Sequence, residues 1–239
     1  MKMTIKLIKL IKDILFPIFC ADCGKEGEWW CSPCRRKYKT TLITKCPVCH
    51  RPSEFGAVCV VCRPISSLDG LAAYLHYFEK QPAAVLIQKF KYQYAKDIIE
   101  VWKKIVSPIR FFWLENIKLV AIMPVPLHPR RERERGFNQA DLIAGIFKEK
   151  MSAEFPAIDF QINRDLIRQR FTQQQAKLTK EERLKNIEGA FSWSGKECPK
   201  TVILIDDVFT SGATMQECAK VLKSAGAEIV WGVTLARAE

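Results

Sequence analysis

The sequence predicts an α/β fold: a parallel sheet flanked by helices, preceded by a small cysteine-rich module. Three observations carry that expectation. The apolar runs "LVAIMPV" (119–125), "TVILI" (201–205) and "EIVWGVTLA" (228–236) do not alternate with polar residues, so they read as strands buried on both faces. Helical stretches separate the strands, at about 138–151, 179–186 and 213–225, and such alternation builds a parallel sheet. Ahead of them, eight of the ten cysteines fall between positions 20 and 62.

From the N-terminus, Ile5, Ile8, Ile11 and Leu15 follow helical spacing, with Lys6, Lys9 and Lys12 on the opposite side. The spacing predicts an amphipathic helix within residues 1–18. Docking on its own chain and lying on a membrane surface both fit it, whereas export does not, because the lysines interrupt every apolar run. No uninterrupted apolar run of about 20 residues occurs, so a spanning helix is not expected. A cytoplasmic location follows, with membrane association left to this helix or to partners.

Residues 19–64 carry four C-x-x-C pairs: Cys20/Cys23, Cys31/Cys34, Cys46/Cys49 and Cys59/Cys62. Each C-x-x-C turn brings two sulfurs to one tetrahedral edge, and two turns complete the four thiolates of a structural zinc site. Two Zn²⁺ sites follow. The gaps of seven residues from Cys23 to Cys31 and nine from Cys49 to Cys59 suit two ribbons in series, with cross-braced pairing as the alternative. A disulfide framework is the competing reading, and it belongs to oxidising compartments. His50 reads as a bystander, and Cys198 and Cys218 as packing residues. The formal charge of +12 would fall to about +8 with both sites filled, still basic enough to favour polyanions. Within "WWCSPCRRKYK" (29–39), aromatics interleave with cations; this is either a solvated ribbon face or a single-strand nucleic-acid contact.

Past residue 65, "LDGLAAYLHYF" (68–78) reads as a strand and "QPAAVLIQKFKY" as a helix with Pro82 in its first turn. "AIDFQINRDLI" adds a further strand. The apolar content of 48% can fill the core of one such domain, 65–239.

The strand "TVILI" delivers Asp206 and Asp207 to the carboxyl edge of the sheet, where ligands gather in such folds. The next residues, Thr210 to Thr214, turn at Gly212 and present backbone N–H groups at a helix start, which is a phosphate cradle. Adjacent carboxylates accept from vicinal hydroxyls. One ligand satisfies both halves: a ribose carrying a 5-phosphate. A receiver-type magnesium pocket is the main rival, but its acids come from a first strand, and only 32 residues follow Asp207 here.

"VILIDDVFTSGAT" resembles the phosphoribosyl diphosphate (PRPP) motif of the type I phosphoribosyltransferases. With "MPVPLHPRRERERGFNQADLIA", "RQRFTQQQAKLTKEERLKNIEGAF" and the C-x-x-C pairs, the chain resembles the ComF family, implicated in competence and use of incoming DNA. The resemblance implies a type I phosphoribosyltransferase-like sheet with a double zinc ribbon. It implies PRPP binding by Asp206, Asp207, Val208, Thr210, Ser211, Gly212, Ala213 and Thr214. Val125 and Pro126 take the place of the diphosphate turn, and Arg135 follows them. Arg168 and Lys177 fall where the fold's lid lies, and Arg170 beside them. In an active enzyme Mg²⁺ accompanies the diphosphate and Asp206 or Asp207 serves catalysis.

The implied partners are PRPP, single-stranded DNA and proteins of the DNA-uptake machinery. The chain stops three residues after "VTLA", short of the C-terminal hood that ordinary members use to recognise a base, so the acceptor stays open. A PRPP-binding protein of DNA uptake and an active phosphoribosyltransferase of nucleotide metabolism are the two functional readings.

Overall fold

The computed structural model describes residues 17–38, 42–92, 96–172 and 185–238. Its strands are β1 (Gly70–His76), β2 (Leu119–Pro124), β3 (Asp159–Ile162), β4 (Leu166–Arg168), β5 (Phe191–Trp193), β6 (Thr201–Phe209) and β7 (Ile229–Arg237). Five of them form one sheet in the order β1-β7-β6-β2-β3, every pairing parallel, while β4 and β5 form a separate antiparallel pair. The expected α/β architecture is therefore present. The stretch 157–167, read as one strand, contains two, because β3 joins the sheet and the chain then turns to start β4.

Successive residues of a strand point to opposite faces, and β6 shows what that does to the core. Ile203 and Ile205 pack into one apolar cluster, Val202 and Leu204 into the other. Helices α2 (Pro82–Tyr92), α3 (Ile99–Ile105) and α5 (Gln139–Glu154) cover the first face through Phe90, Trp102, Ile143, Phe147 and Met151; α1 (Ser32–Arg36) belongs to the first ribbon. On the second face α6 (Ala213–Ser224) buries Met215, Cys218, Ala219 and Leu222. Pro82 opens α2, where its missing N–H costs no hydrogen bond. Asn138 caps α5, its Oδ1 accepting from the Ala140 N–H at 3.0 Å.

"RRERER" lies in helix α4 (Pro129–Arg135), which the sequence reading did not place, with Pro129 at its first position, His128 Nδ1 accepting from the Arg130 N–H, and Gly136 closing it at φ 77°. An ion pair of 3.0 Å joins Arg130 to Glu134 one turn later.

The second cysteine segment packs along β1, the exposed edge of the sheet. Ile43 bridges to Ala73 and Ala57 to Gly70, and the Val58 N–H donates to Asp69 O at 2.9 Å. An unpaired strand edge is thereby covered. Arg237, fully buried at the end of β7, donates to Lys45 O and Cys46 O, both at 2.7 Å. The first cysteine segment shares the sheet's core: Trp30, Cys20, Cys31 and Cys34 belong to the cluster under α2 and α3. Among the described residues no helix is long and apolar enough to cross a membrane. The amphipathic helix expected within 1–18, apart from its last two residues, and most of the helix expected at 179–186 lie outside the described residues.

Candidate functional site

From β2 the chain moves to β3 on one side, and from β6 it moves to β7 on the other, so the strand order reverses between β2 and β6. The carboxyl ends of such a strand pair open a crevice. A cavity of about 370 Å³ lies there. Its wall contains Val125 and Pro126 after β2, Asp206, Asp207 and Val208 of β6, and Thr210, Ser211, Gly212, Ala213 and Thr214 of the following turn. Arg135 and Arg168 line it as well. The structure thus gathers the expected PRPP-site residues it describes, Arg170 excepted, around one space; Lys177 lies outside the described residues.

The acids do not follow the strand, as the sequence reading had them, but sit inside it. β6 runs on to Phe209 because β7 pairs with it as far as Phe209↔Arg237, with Asp206 opposite Thr234. Holding two carboxylates side by side in a sheet is electrostatically unfavourable. Burial and the neighbouring Asp207 charge push the Asp206 carboxyl up to about 7. Its Oδ1 accepts from the Asp207 N–H at 2.8 Å. Asp207, only 2% exposed, forms an ion pair through Oδ2 with Lys91 Nζ of α2 at 2.9 Å. Burial works against the Lys91 ammonium, but the charges of Asp207 and Asp206 together outweigh it and hold its pKa above the ordinary value.

The turn is shaped by Gly212, which adopts φ 77° as the residue before α6. An added Cβ there would stand 2.6 Å from the Phe209 ring, so backbone conformation and space both require glycine. Gly212 has no side chain to cap the helix, and Ser211 Oγ accepts from the Ala213 N–H at a long 3.5 Å, where the positive end of the dipole meets the cavity. The opposite wall is stitched to the sheet: the Val125 N–H donates to Ile205 O at 2.8 Å, and Asn138 Nδ2 to Val125 O at 3.1 Å.

Arginines come from two elements, α4 and β4. Arg135, at the end of α4, donates from Nη1 to Gln139 Oε1 at 2.9 Å. Arg131, earlier in α4, donates from Nη2 to Thr172 O at 2.9 Å. Arg168 corrects its sequence assignment: it belongs to strand β4, is buried over the Phe191 ring and donates to Thr172 Oγ1, so it is a fixed wall residue and not part of a lid. Burial and the nearby Arg131 lower its pKa to about 10, and its Nε meets no hydrogen-bond partner among the described residues. A buried guanidinium in this state favours an anion arriving in the cavity. Arg170 does not join the site; it donates to Asn186 O at 3.1 Å and to Glu188 O.

Lys91, Tyr77, Glu79, Gln88 and Gln139 also line the cavity, and sequence reading missed all five. Lys91 sits in the last turn of an amphipathic helix, where a lysine reads as solvated. Only the fold brings it to the acids.

The cysteines form two groups in series, Cys20/Cys23/Cys31/Cys34 and Cys46/Cys49/Cys59/Cys62, each with its sulfurs within 4.8 Å of one another. Cross-braced pairing is thereby ruled out. Sγ–Sγ separations of 3.6 Å (Cys20–Cys31), 3.8 Å (Cys23–Cys31) and 3.7 Å (Cys49–Cys59) match the edge of a tetrahedron with Zn–S bonds of about 2.3 Å, which is about 3.8 Å. Both groups fit zinc with no open position, so a metal there would supply folding energy. His50 belongs to neither group, and Cys198 and Cys218 pack against the core, as expected.

Elemental analysis of the purified chain is expected to find two zinc ions per chain, and Cys49→Ser/Cys59→Ser to find one. Lys91→Met leaves Asp207 buried without its cation. We expect a loss of about 2–4 kcal/mol in denaturant unfolding, below the figure for a fully buried pair because Lys91 is 23% exposed, with part recovered by adding Asp207→Asn. Full additivity of the two substitutions would contradict the coupling.

No family model matches the chain. It is 32% identical to Competence protein F of Haemophilus influenzae over 87% of this chain and 90% of that protein. It is also 32% identical to Competence protein ComFC of Bacillus subtilis, over 84% of this chain and 81% of that protein. To DNA utilization protein YhgH of Escherichia coli K12 it is 27% identical, over 85% and 88% respectively. Identity of this level along almost the whole length, with the acid pair and cysteine tetrads in place, makes the chain a member of the ComF family.

Proposed function

We propose that the chain binds PRPP in the β2/β6 crevice and serves the uptake and use of incoming DNA, handling it as single strands. The observation that carries the first half is the division of one cavity into complementary parts. The Gly212 turn and the α6 N-terminus suit a 5-phosphate, and Asp206 and Asp207 suit ribose hydroxyls. Arg131, Arg135 and Arg168 beyond the Val125–Pro126 turn suit a diphosphate. PRPP carries these three groups in that order. Mg²⁺, when bound, would neutralise diphosphate charge, and the carboxylates nearest that end that would hold it are those of the acid pair, Asp206 and Asp207.

The second half is supported by relatives named competence and DNA utilization proteins, and by cations set over aromatic rings. Lys89 lies 5.4 Å from the Trp29 ring; Arg130 and Arg131 lie 4.9 and 5.5 Å from Phe171, which is 45% exposed. Such pairs bind the backbone and bases of a single strand without reading sequence.

The arginine-lined end favours a second reading, transfer of the phosphoribosyl group. The acceptor's lone pair would close on the anomeric carbon as the carbon–oxygen bond to diphosphate breaks, its electron pair leaving on the diphosphate. Electrostatic positioning carries such a step, and no protein nucleophile is needed. Asp206, titrating near neutrality, is suited to receive a proton from the acceptor.

Calorimetry with PRPP and Mg²⁺ tests the pocket. Wild type is expected to bind, and Asp206→Asn/Asp207→Asn to bind about 10- to 100-fold more weakly. Because the Asp206 carboxyl is neutral below about 7, wild-type affinity should rise between pH 6 and pH 8 more than that of Asp206→Asn, which shares only the ligand's own titration. Absence of heat from the wild type would reject PRPP as the ligand. For DNA, affinity for a single-stranded oligonucleotide should fall steeply with salt and fall further in Phe171→Ala; salt-insensitive binding would argue against that role.

A further inference from the structure

The cavity has a second end, chemically unlike the one lined by arginines. Along the carboxyl edge the strand order β1-β7-β6-β2-β3 places the acid pair between two neighbourhoods. Val125, Arg131 and Arg135 lie on the β2 side; Tyr77 and Glu79, from the β1–α2 connection, and Gln88 of α2 lie on the β1 side. Gln88 sits one turn before Lys91, whose ion pair with Asp207 marks where this end meets the acids.

The connection is held in place. The Tyr77 N–H donates to Arg237 O at 2.7 Å, the Gln81 N–H to Phe78 O at 3.2 Å, and Lys80 adopts φ 66°, a left-handed backbone unusual for a side chain of its size. Strained, over-determined backbone of this kind collects at ligand-binding turns. The side chains of Tyr77, Glu79 and Gln88 make no hydrogen bond or ion pair with any described residue, although each borders the cavity.

This set has a definite preference. It offers an aromatic ring for stacking, a carboxylate that only accepts, and a carboxamide that both donates and accepts. Its one cation, Lys91, is already paired with Asp207. An anionic ligand would meet Glu79 unfavourably, whereas a planar uncharged heterocycle with adjacent N–H and C=O or ring-nitrogen groups would satisfy all three. We propose that Tyr77, Glu79 and Gln88 form a second subsite for an uncharged nucleobase, lying across the acid pair from the arginines.

The assignment rests on PRPP occupying the rest of the cavity, as proposed above. It also fits displacement at an anomeric carbon, where entering and departing groups take opposite sides. A free base and a base on a DNA strand present the same edge, so both belong in the test.

The full-length chain, saturated with PRPP and Mg²⁺, would be titrated calorimetrically with adenine, uracil, the anionic base orotate and a short oligodeoxynucleotide. Adenine or uracil is expected to bind, and to bind about 10-fold or more weakly to Tyr77→Ala and Gln88→Leu, while those variants keep wild-type affinity for PRPP. Orotate should be excluded by the wild type and admitted by Glu79→Gln. If the oligonucleotide displaces adenine, the strand is the source of the base; if it does not, the free base is. With PRPP bound, failure of every base to bind, a preference for orotate, or base affinities unchanged in all three variants would overturn the subsite and leave the PRPP reading standing. Absence of PRPP binding would remove both.

Discussion

Two carboxylates held next to each other in the middle of a five-stranded sheet are the constraint around which the rest is arranged. Each would ionise freely in water; side by side, with β6 paired on both edges, they repel. The fold meets that cost in two different ways. Asp207 is buried and given Lys91, while Asp206 is left at the cavity wall with its carboxyl raised toward neutrality. The pair is therefore graded, one member held in an ion pair and the other poised to respond to a ligand. A sheet used only for stability would place apolar residues at both positions, as β6 does from Val202 to Ile205.

The cationic side follows the same logic. Arg168 is buried, and Arg131 lowers its pKa further against the opposing pull of Asp206, so the protein keeps positive charges in mutual tension beside an empty volume. Such an arrangement is stabilised by an anion and is unfavourable without one. Charge separation along the sheet edge, acids at β6 and arginines toward β2, gives the cavity a direction.

Much of this was legible in the sequence, and what was not has identifiable reasons. The acid pair, the glycine turn and the C-x-x-C pairs are local signals: their chemistry lies within a few residues of chain, and spacing alone reports it. Lys91, Tyr77 and Glu79 come from elements far along the chain from Asp206, and only parallel pairing of β1 with β7 brings them to the same edge. Helix α4 escaped because every residue after Pro129 is charged, which leaves no apolar period, although Pro129 and Gly136 mark its two ends. Arg168 was assigned to a lid because the charged segment around it dominates composition; the short pairing of Leu166–Arg168 with Phe191–Trp193 that fixes it carries almost no sequence signal.

The end of β7 shows how the cysteine module and the cavity share one structure. Arg237 is wholly buried, and its Nη atoms donate to the carbonyls of Lys45 and Cys46, the latter a member of the second tetrad. Its guanidinium also lies 5.5 Å from the Phe209 ring, against which Gly212 packs too closely for any Cβ. Carbonyl, guanidinium, ring and glycine turn thus form one contiguous stack from the second cysteine tetrad to the cavity wall. A charged hydrogen bond to a buried carbonyl contributes about 1.5–3 kcal/mol, and two of them fix the guanidinium more firmly than ring contact alone would. Folding energy from a metal held at Cys46 would act on the same carbonyl that orients Arg237, so the module that covers the sheet edge also steadies the glycine turn at the cavity wall.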